Sequence, residues 1–159
     1  MDLRKIKGRA VVAIASGEKV GEVDDVVIDG QERRVAAFNV SEGGFLRKHH
    51  VYLTYDGVSS IGEDAVMVQA DDVFRQSYGD RADGYFTLES LTKVRVVTES
   101  GTYLGDVASA YFEPTDGRLT EIEVGTGGFF RSNTLIDAGS LTSVGTDIFI
   151  VPDNVGQAS

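Results

Sequence analysis

Displaced against itself by 84 residues, the sequence aligns Ser16-Gly17 with Ser100-Gly101, Gly21 with Gly105, Val23 with Val107 and Arg34 with Arg118. The same offset sets Val40-Ser41-Glu42-Gly43-Gly44-Phe45-Leu46-Arg47 on Val124-Gly125-Thr126-Gly127-Gly128-Phe129-Phe130-Arg131, five of eight identical, and Val12 on Val96. Unrelated segments agree at roughly one position in twenty, so the halves are copies. Further on, a one-residue deletion changes the offset to 83, pairing Ser60, Gly62, Asp64 and Val68 with Ser143, Gly145, Asp147 and Val151. Whatever fold the chain adopts, about 75 residues must suffice to build it once. Domains that small bury little on their own, so the halves are expected to pack together.

Each copy reads as short strands joined by tight turns. Nineteen Gly stand against two Pro, Val dominates the apolar residues, and no long 3.6-residue periodicity appears. Strands are expected over residues 9–15 and 93–98, 20–29 and 104–113, 35–40 and 119–124, 51–54, 65–69 and 148–151. Turns fall at Ser16-Gly17, Ser100-Gly101, residues 30–33 and Pro114-Thr115-Asp116-Gly117. A helical turn is expected over 55–60. Alternation places Thr120, Ile122 and Val124 on one face, expected inward. The polar, Gly-containing run from Ser77 to Gly84 suits a connector, which gives a first copy over 1–78, a linker over 79–87 and a second copy over 88–159. The cheapest way for five short strands to hide their backbone edges is closure into a small barrel.

Two stretches carry a family resemblance. Gly17-Glu18-Lys19-Val20-Gly21-Glu22-Val23-Asp24-Asp25-Val26-Val27-Ile28-Asp29, followed by Val40-Ser41-Glu42-Gly43-Gly44-Phe45-Leu46, resembles the PRC-barrel family. So does the closing stretch Tyr55-Asp56-Gly57-Val58-Ser59-Ser60-Ile61-Gly62-Glu63-Asp64-Ala65-Val66-Met67-Val68. The second copy is similar but looser, through Gly101-Thr102-Tyr103-Leu104-Gly105-Asp106-Val107, Gly127-Gly128-Phe129-Phe130 and Ser143-Val144-Gly145-Thr146-Asp147. Two departures stand out: Thr54 where many members carry Pro before the helical turn, and a loop shortened to Arg47-Lys48-His49-His50. The resemblance implies a mostly β chain made of two tandem PRC-type β-barrels of about five to six strands each. It also implies docking on proteins rather than catalysis, as in the cytoplasmic part of the photosynthetic reaction-centre H subunit and in ribosome-maturation factors.

The residues themselves offer little chemistry. The chain has no Cys, which removes disulfide scaffolds, thiolate metal sites and Cys nucleophiles. His49 and His50 are the only histidines. On an extended strand they face opposite ways and cannot readily share an ion, so a solvated basic loop is the better reading. No Gly-x-Ser-x-Gly elbow is present. Gly125-Thr126-Gly127-Gly128 lacks the Lys-Ser/Thr ending of a phosphate loop. Asp24-Asp25, Asp71-Asp72 and Glu121-x-Glu123 read as solvated faces rather than a calcium loop. No catalytic residue, cofactor or metal is expected.

Fifteen Lys and Arg against 25 Asp and Glu give a formal charge of −10, which repels a phosphate backbone. Nucleic acid is therefore a poor partner. An RNA- or ribosome-associated assembly factor stands as the alternative that the resemblance allows, with Arg33-Arg34 and Arg47-Lys48-His49-His50 as its basic residues. The leading expectation is a cytoplasmic adaptor without a transmembrane segment, docking on a protein. A membrane complex at the inner face of the membrane and a second copy of this chain are among the candidate partners. Candidate partner-binding residues are Phe45, Leu46, Arg47, Phe129, Phe130 and Arg131. Two consecutive large apolar residues after Gly-Gly cannot both point inward on an extended chain, so either a bend lets both plug the barrel end or one of each pair is exposed for docking.

Overall fold

The computed structural model describes residues 1–43, 49–77, 84–125 and 133–155. The first copy begins with a single 3-10 turn, Leu3–Lys5, followed by β1 (Ala10–Ala13), β2 (Lys19–Asp29), β3 (Arg34–Glu42), β4 (His49–Thr54), β5 (Ser60–Ile61) and β6 (Ala65–Val68). The second runs through β7 (Tyr85–Thr87), the one-turn helix α1 (Leu88–Leu91), β8 (Arg95–Thr98), β9 (Tyr103–Phe112), β10 (Leu119–Gly125), β11 (Asn133–Asp137), β12 (Ser143–Val144) and β13 (Ile148–Val151). Among the described residues no helix is long and apolar enough to cross a membrane.

The ladders repeat each other. The first sheet is ordered β4-β3-β2-β1-β6-β5 and the second β11-β10-β9-β8-β13-β12. Four of the five pairings in each are antiparallel, and β1–β6 and β8–β13 are parallel. Parallel neighbours need a long crossover, and here the rest of the copy supplies it, so first and last strands meet and curl the sheet over one face. Val11, Val23, Val26, Phe38, Val40, Val51, Leu53, Val66 and Val68 of the first copy and Val96, Val107, Ala110, Phe112, Ile122, Val124, Ile136, Phe149 and Val151 of the second belong to one continuous buried apolar cluster.

The first strand departs by one residue from the sequence alignment. Val11 is the buried residue opposite Gly21, and Val96 is the buried residue opposite Gly105. Val11, not Val12, is therefore the counterpart of Val96. The turn accounts for the difference: Gly17 N donates to Ala13 O, whereas Gly101 N donates to Thr98 O across one residue fewer. Strand β10 also departs from simple alternation. Its pairing with β9 shifts between Leu119 and Glu121, and again between Glu123 and Val124. These bulges bury Leu119 and Glu123 and leave Thr120, expected inward, only partly covered.

The halves are joined by reciprocal exchange. Strand β7, within the stretch expected as a connector, pairs with β2 of the first copy, Phe86 opposite Ile28. In return, Phe112 of β9 exchanges main-chain bonds with Met1, 2.8 and 2.9 Å, and Asp2 bridges Tyr111. Midway between these contacts Arg34 pairs antiparallel with Arg118, its own counterpart. Val35 N donates to Gly117 O at 2.8 Å and Leu119 N to Arg33 O at 2.9 Å. A residue paired with its own repeat marks a local two-fold axis, so the tandem is arranged as a pseudo-symmetric dimer.

Gly105 shows how closely the strands approach. Its φ is +146°, and a Cβ there would overlap the carbonyl group of Gly125. Gly101 also has positive φ, +94°, but opens on empty space. Gly105→Ala is expected to lower unfolding stability by about 2–4 kcal/mol and Gly101→Ala by about 1 kcal/mol. Urea denaturation followed by circular dichroism checks the difference.

Candidate functional site

Three regions concentrate side-chain chemistry: the two hairpin ends, the cleft beside the two-fold axis, and a polar cluster where the N-terminus meets β9 and β10. The docking residues expected from sequence, Phe45, Leu46, Arg47, Phe129, Phe130 and Arg131, all lie outside the described residues. Their flanking strands are described. In the first hairpin Glu42 stands opposite His49, and in the second Gly125 stands opposite Asn133. Strands β3 and β10 start at the Arg34–Arg118 pair and run antiparallel away from it, so their far ends, Glu42 and Gly125, lie on opposite sides of the axis. At about 3.3 Å per residue these two residues are no more than roughly 50 Å apart.

The rims carry different side chains. His50 Nδ1 lies 3.3 Å from Asp24, while His49 Nε2 lies 3.1 Å from Gln76 and 4.0 Å from Glu42. The two rings thus engage different partners and do not converge. At the second hairpin the neighbouring carboxylate is that of Glu123. Glu123, expected on a solvated face with Glu121, is only 7% exposed. It accepts from Tyr111 Oη at 3.2 Å and Asn133 Nδ2 at 3.1 Å, and pairs with Arg4 at 3.2 Å. Sequence reasoning missed this burial because Arg4 comes from 119 residues away and the bulge that turns Glu123 inward leaves no mark on the alternation.

Arg4 also holds Asp2, 2.8 Å from Nη2, and Ser109 Oγ donates to Asp2 Oδ1 at 2.7 Å. Burial alone would raise the Asp2 carboxyl, but the bonds from Arg4 and Ser109 outweigh it and hold Asp2 below its ordinary range. Asp2 accepts from Arg4 N as the cap of the first turn. Ser109 is the counterpart of Asp25, whose carboxylate accepts from Leu88 N at 3.1 Å at the start of α1. The first copy's strand thus accepts from the main chain at the start of α1, whereas the second copy's strand holds the side chain of Asp2, which is itself the cap of the first turn. The polar cluster is fully partnered and serves assembly.

Beside the axis, Tyr55, Val58, Ser59, Ser60, Ile61, Pro114 and Thr115 line an open cavity of about 290 Å³. Tyr55 Oη donates to Pro114 O at 2.6 Å, and its ring lies against Gly117, where a Cβ would come within 3.1 Å. Burial first, then Asp116 and Glu113, push the phenol up to about 12. On the other side of the axis the corresponding corner is closed. There a Cβ on Gly30 would meet Phe86 at 2.7 Å and Val144 at 2.9 Å, Ala138 stands in the place of Tyr55, and Arg33 Nη2 donates to Leu141 O at 2.7 Å. Among the described residues no group of three or more His, Asp or Glu side chains converges on a metal-sized site.

Comparison with known proteins gives a match to the PRC-barrel domain over residues 1–74 and again over 83–157. No curated protein matches the chain.

Two pH experiments follow from these environments. The Tyr55 phenol is raised when folded, so its contribution is complete below about pH 10 and declines as pH climbs toward 12. Chemical denaturation between pH 9 and 11.5 is expected to show a smaller alkaline loss in Tyr55→Phe than in the wild type. Asp2 is lowered, so its contribution holds above its unfolded value of about 4 and falls as acid protonates it in the fold. Asp2→Asn is expected to be less stable at pH 7 and to lose less on acidification, read from denaturation midpoints at pH 7 and pH 3.

Proposed function

Because the chain belongs to the PRC-barrel domain family and carries the domain twice, we propose that it is a non-enzymatic adaptor whose two Gly-Gly hairpins hold a protein partner. Domains of this family are in general protein-interaction modules and non-catalytic. Contact is made through Phe45, Leu46 and Arg47 in the first copy and Phe129, Phe130 and Arg131 in the second. In each hairpin the apolar residues form the centre of the contact and the arginine its rim. A membrane-associated complex is the partner class that the resemblance names.

The observation that carries this reading is the pairing of Arg34 with Arg118 at the axis. It sends β3 and β10 outward in opposite directions, which supports an adaptor with two ends rather than one compact surface. If both engage one assembly, the second contact is made at high effective concentration. The ends are not equivalent: the chain to residue 79 holds 10 basic and 13 acidic residues, and the remainder 5 and 12. Both copies are net acidic, so both favour basic partners, the second more strongly. A net charge of −10 opposes the RNA-binding alternative.

Leu46→Ser and Phe130→Ser test the proposal. Each is expected to change stability by less than about 1 kcal/mol while removing a partner from crosslinking and mass spectrometry in the native host. A large stability loss with every crosslink retained assigns these residues to the core and overturns the reading.

A further inference from the structure

The duplication lets one outer sheet face be compared in both copies. In the second copy Val96, Thr98, Phe149 and Val151 are buried, so alternation directs Arg95, Val97, Ile148 and Ile150 to the opposite side of the sheet. Tyr103, opposite Val97, joins them: the Arg95 guanidinium lies 5.9 Å from the centre of its ring, and its hydroxyl donates to Asp106 at 2.6 Å. Tyr103 is 56% exposed and Ile148 39%. The ladders of the first copy put Ala10, Ala65 and Lys19 in the places of Arg95, Ile148 and Tyr103. There Lys19 forms an ion pair with Glu22 at 3.2 Å, where the second copy has the Tyr103–Asp106 bond. The first copy's exposed Ile14 stands at the strand end where the second has Glu99.

The exchange changes what the surface can hold. Lys and Glu are depleted from the centres of protein interfaces, whereas Tyr and Arg are enriched there. Tyr103, already bonded to Asp106 and stacked with Arg95, gives up little side-chain freedom on contact. The face spans three adjacent strands, β9, β8 and β13. At about 4.8 Å between neighbours that is roughly 10 Å, the width of one α-helix. Glu99, Asp106 and Asp147 border the face, are exposed, and outnumber Arg95. Thr142 Oγ1 donates to Glu99 and Tyr103 Oη to Asp106, and these neutral donors leave the negative charge in place. Two such faces repel each other, because residues 80–159 hold 12 acidic and 5 basic residues. We propose that this face seats an amphipathic helix of a partner protein, with its apolar stripe on Tyr103, Val97, Ile148 and Ile150 and its Lys or Arg side chains toward Glu99, Asp106 and Asp147. The site draws on none of the Gly-Gly residues, so it and the hairpin contacts fail independently.

The full chain, ¹⁵N-labelled, is titrated with a peptide of about five helical turns that carries Leu along one stripe and Lys elsewhere. A peptide of the same composition, ordered so that no stripe forms, is the control. The striped peptide is expected to bind and to shift the amide signals of Val97, Tyr103 and Ile148, and the control to bind at least roughly tenfold more weakly. Tyr103→Lys with Ile148→Ala installs the side chains that the first copy carries at these places, and should weaken binding of the striped peptide roughly tenfold. Should that variant fail to fold, Ile148→Ala alone should weaken it roughly threefold. The proposal is overturned if the striped peptide does not bind, if both peptides bind equally, or if the shifts map to Val12 and Met67 of the first copy. It is also overturned if the folded variant binds like the wild type. A wild-type chain that sediments as a dimer while the double variant sediments as a monomer overturns it too, because a second copy is then the occupant.

Discussion

The structure depends on one set of reciprocal main-chain bonds, those around Arg34 and Arg118. Val35 donates to Gly117 and Leu119 to Arg33, and each bond is the image of the other under the repeat. Two like-charged side chains meet there, and Asp116 answers both: its carbonyl accepts from Arg34 Nη2 and its carboxylate lies 3.9 Å from Arg118 Nε. Around this axis each copy lends the other its opening segment, β7 to β2 and Met1-Asp2 to β9. A domain of about 75 residues leaves much of its surface unburied. The exchange covers part of that surface and pairs strand edges that would otherwise be open.

The same arrangement fixes what the hairpins can do. Strands β3 and β10 diverge from the axis, and the strands that lead toward each hairpin carry the buried Val40, Val51 and Val124. The first hairpin is flanked by His49 and His50, the second by a carboxylate that Arg4 has already engaged.

Most of the fold was legible because its signals are local. The 84-residue offset gave the duplication, and Val-rich runs bounded by Gly gave β2, β3, β9 and β10 within a residue or two. The helical turn after β4 is the 3-10 turn Tyr55–Gly57. What escaped is non-local or set by a bulge. The two-residue strands β5 and β12 carry no periodicity, and β7 is three residues directly after a polar run, in the expected linker, whose pairing with β2 is non-local. The off-by-one register of Val11 and Val96 follows from turn length, which identity counting absorbed without trace. Of the chemistry, the separation of His49 and His50 could be read from strand alternation, whereas the burial of Glu123 required knowing that Arg4 lies beside it.

Across the axis the copies have exchanged bulk. Tyr55 lies over Gly117 on one side, and on the other Ala138 leaves room for Arg33, a non-glycine residue held at φ +54°. A molecule built from two first copies would drive the phenol ring into the arginine, and one built from two second copies would leave a void between alanine and glycine. Neither half can therefore replace its sister. The link between them has become obligatory at the level of shape, and splitting the chain would yield two pieces that fit each other and not themselves.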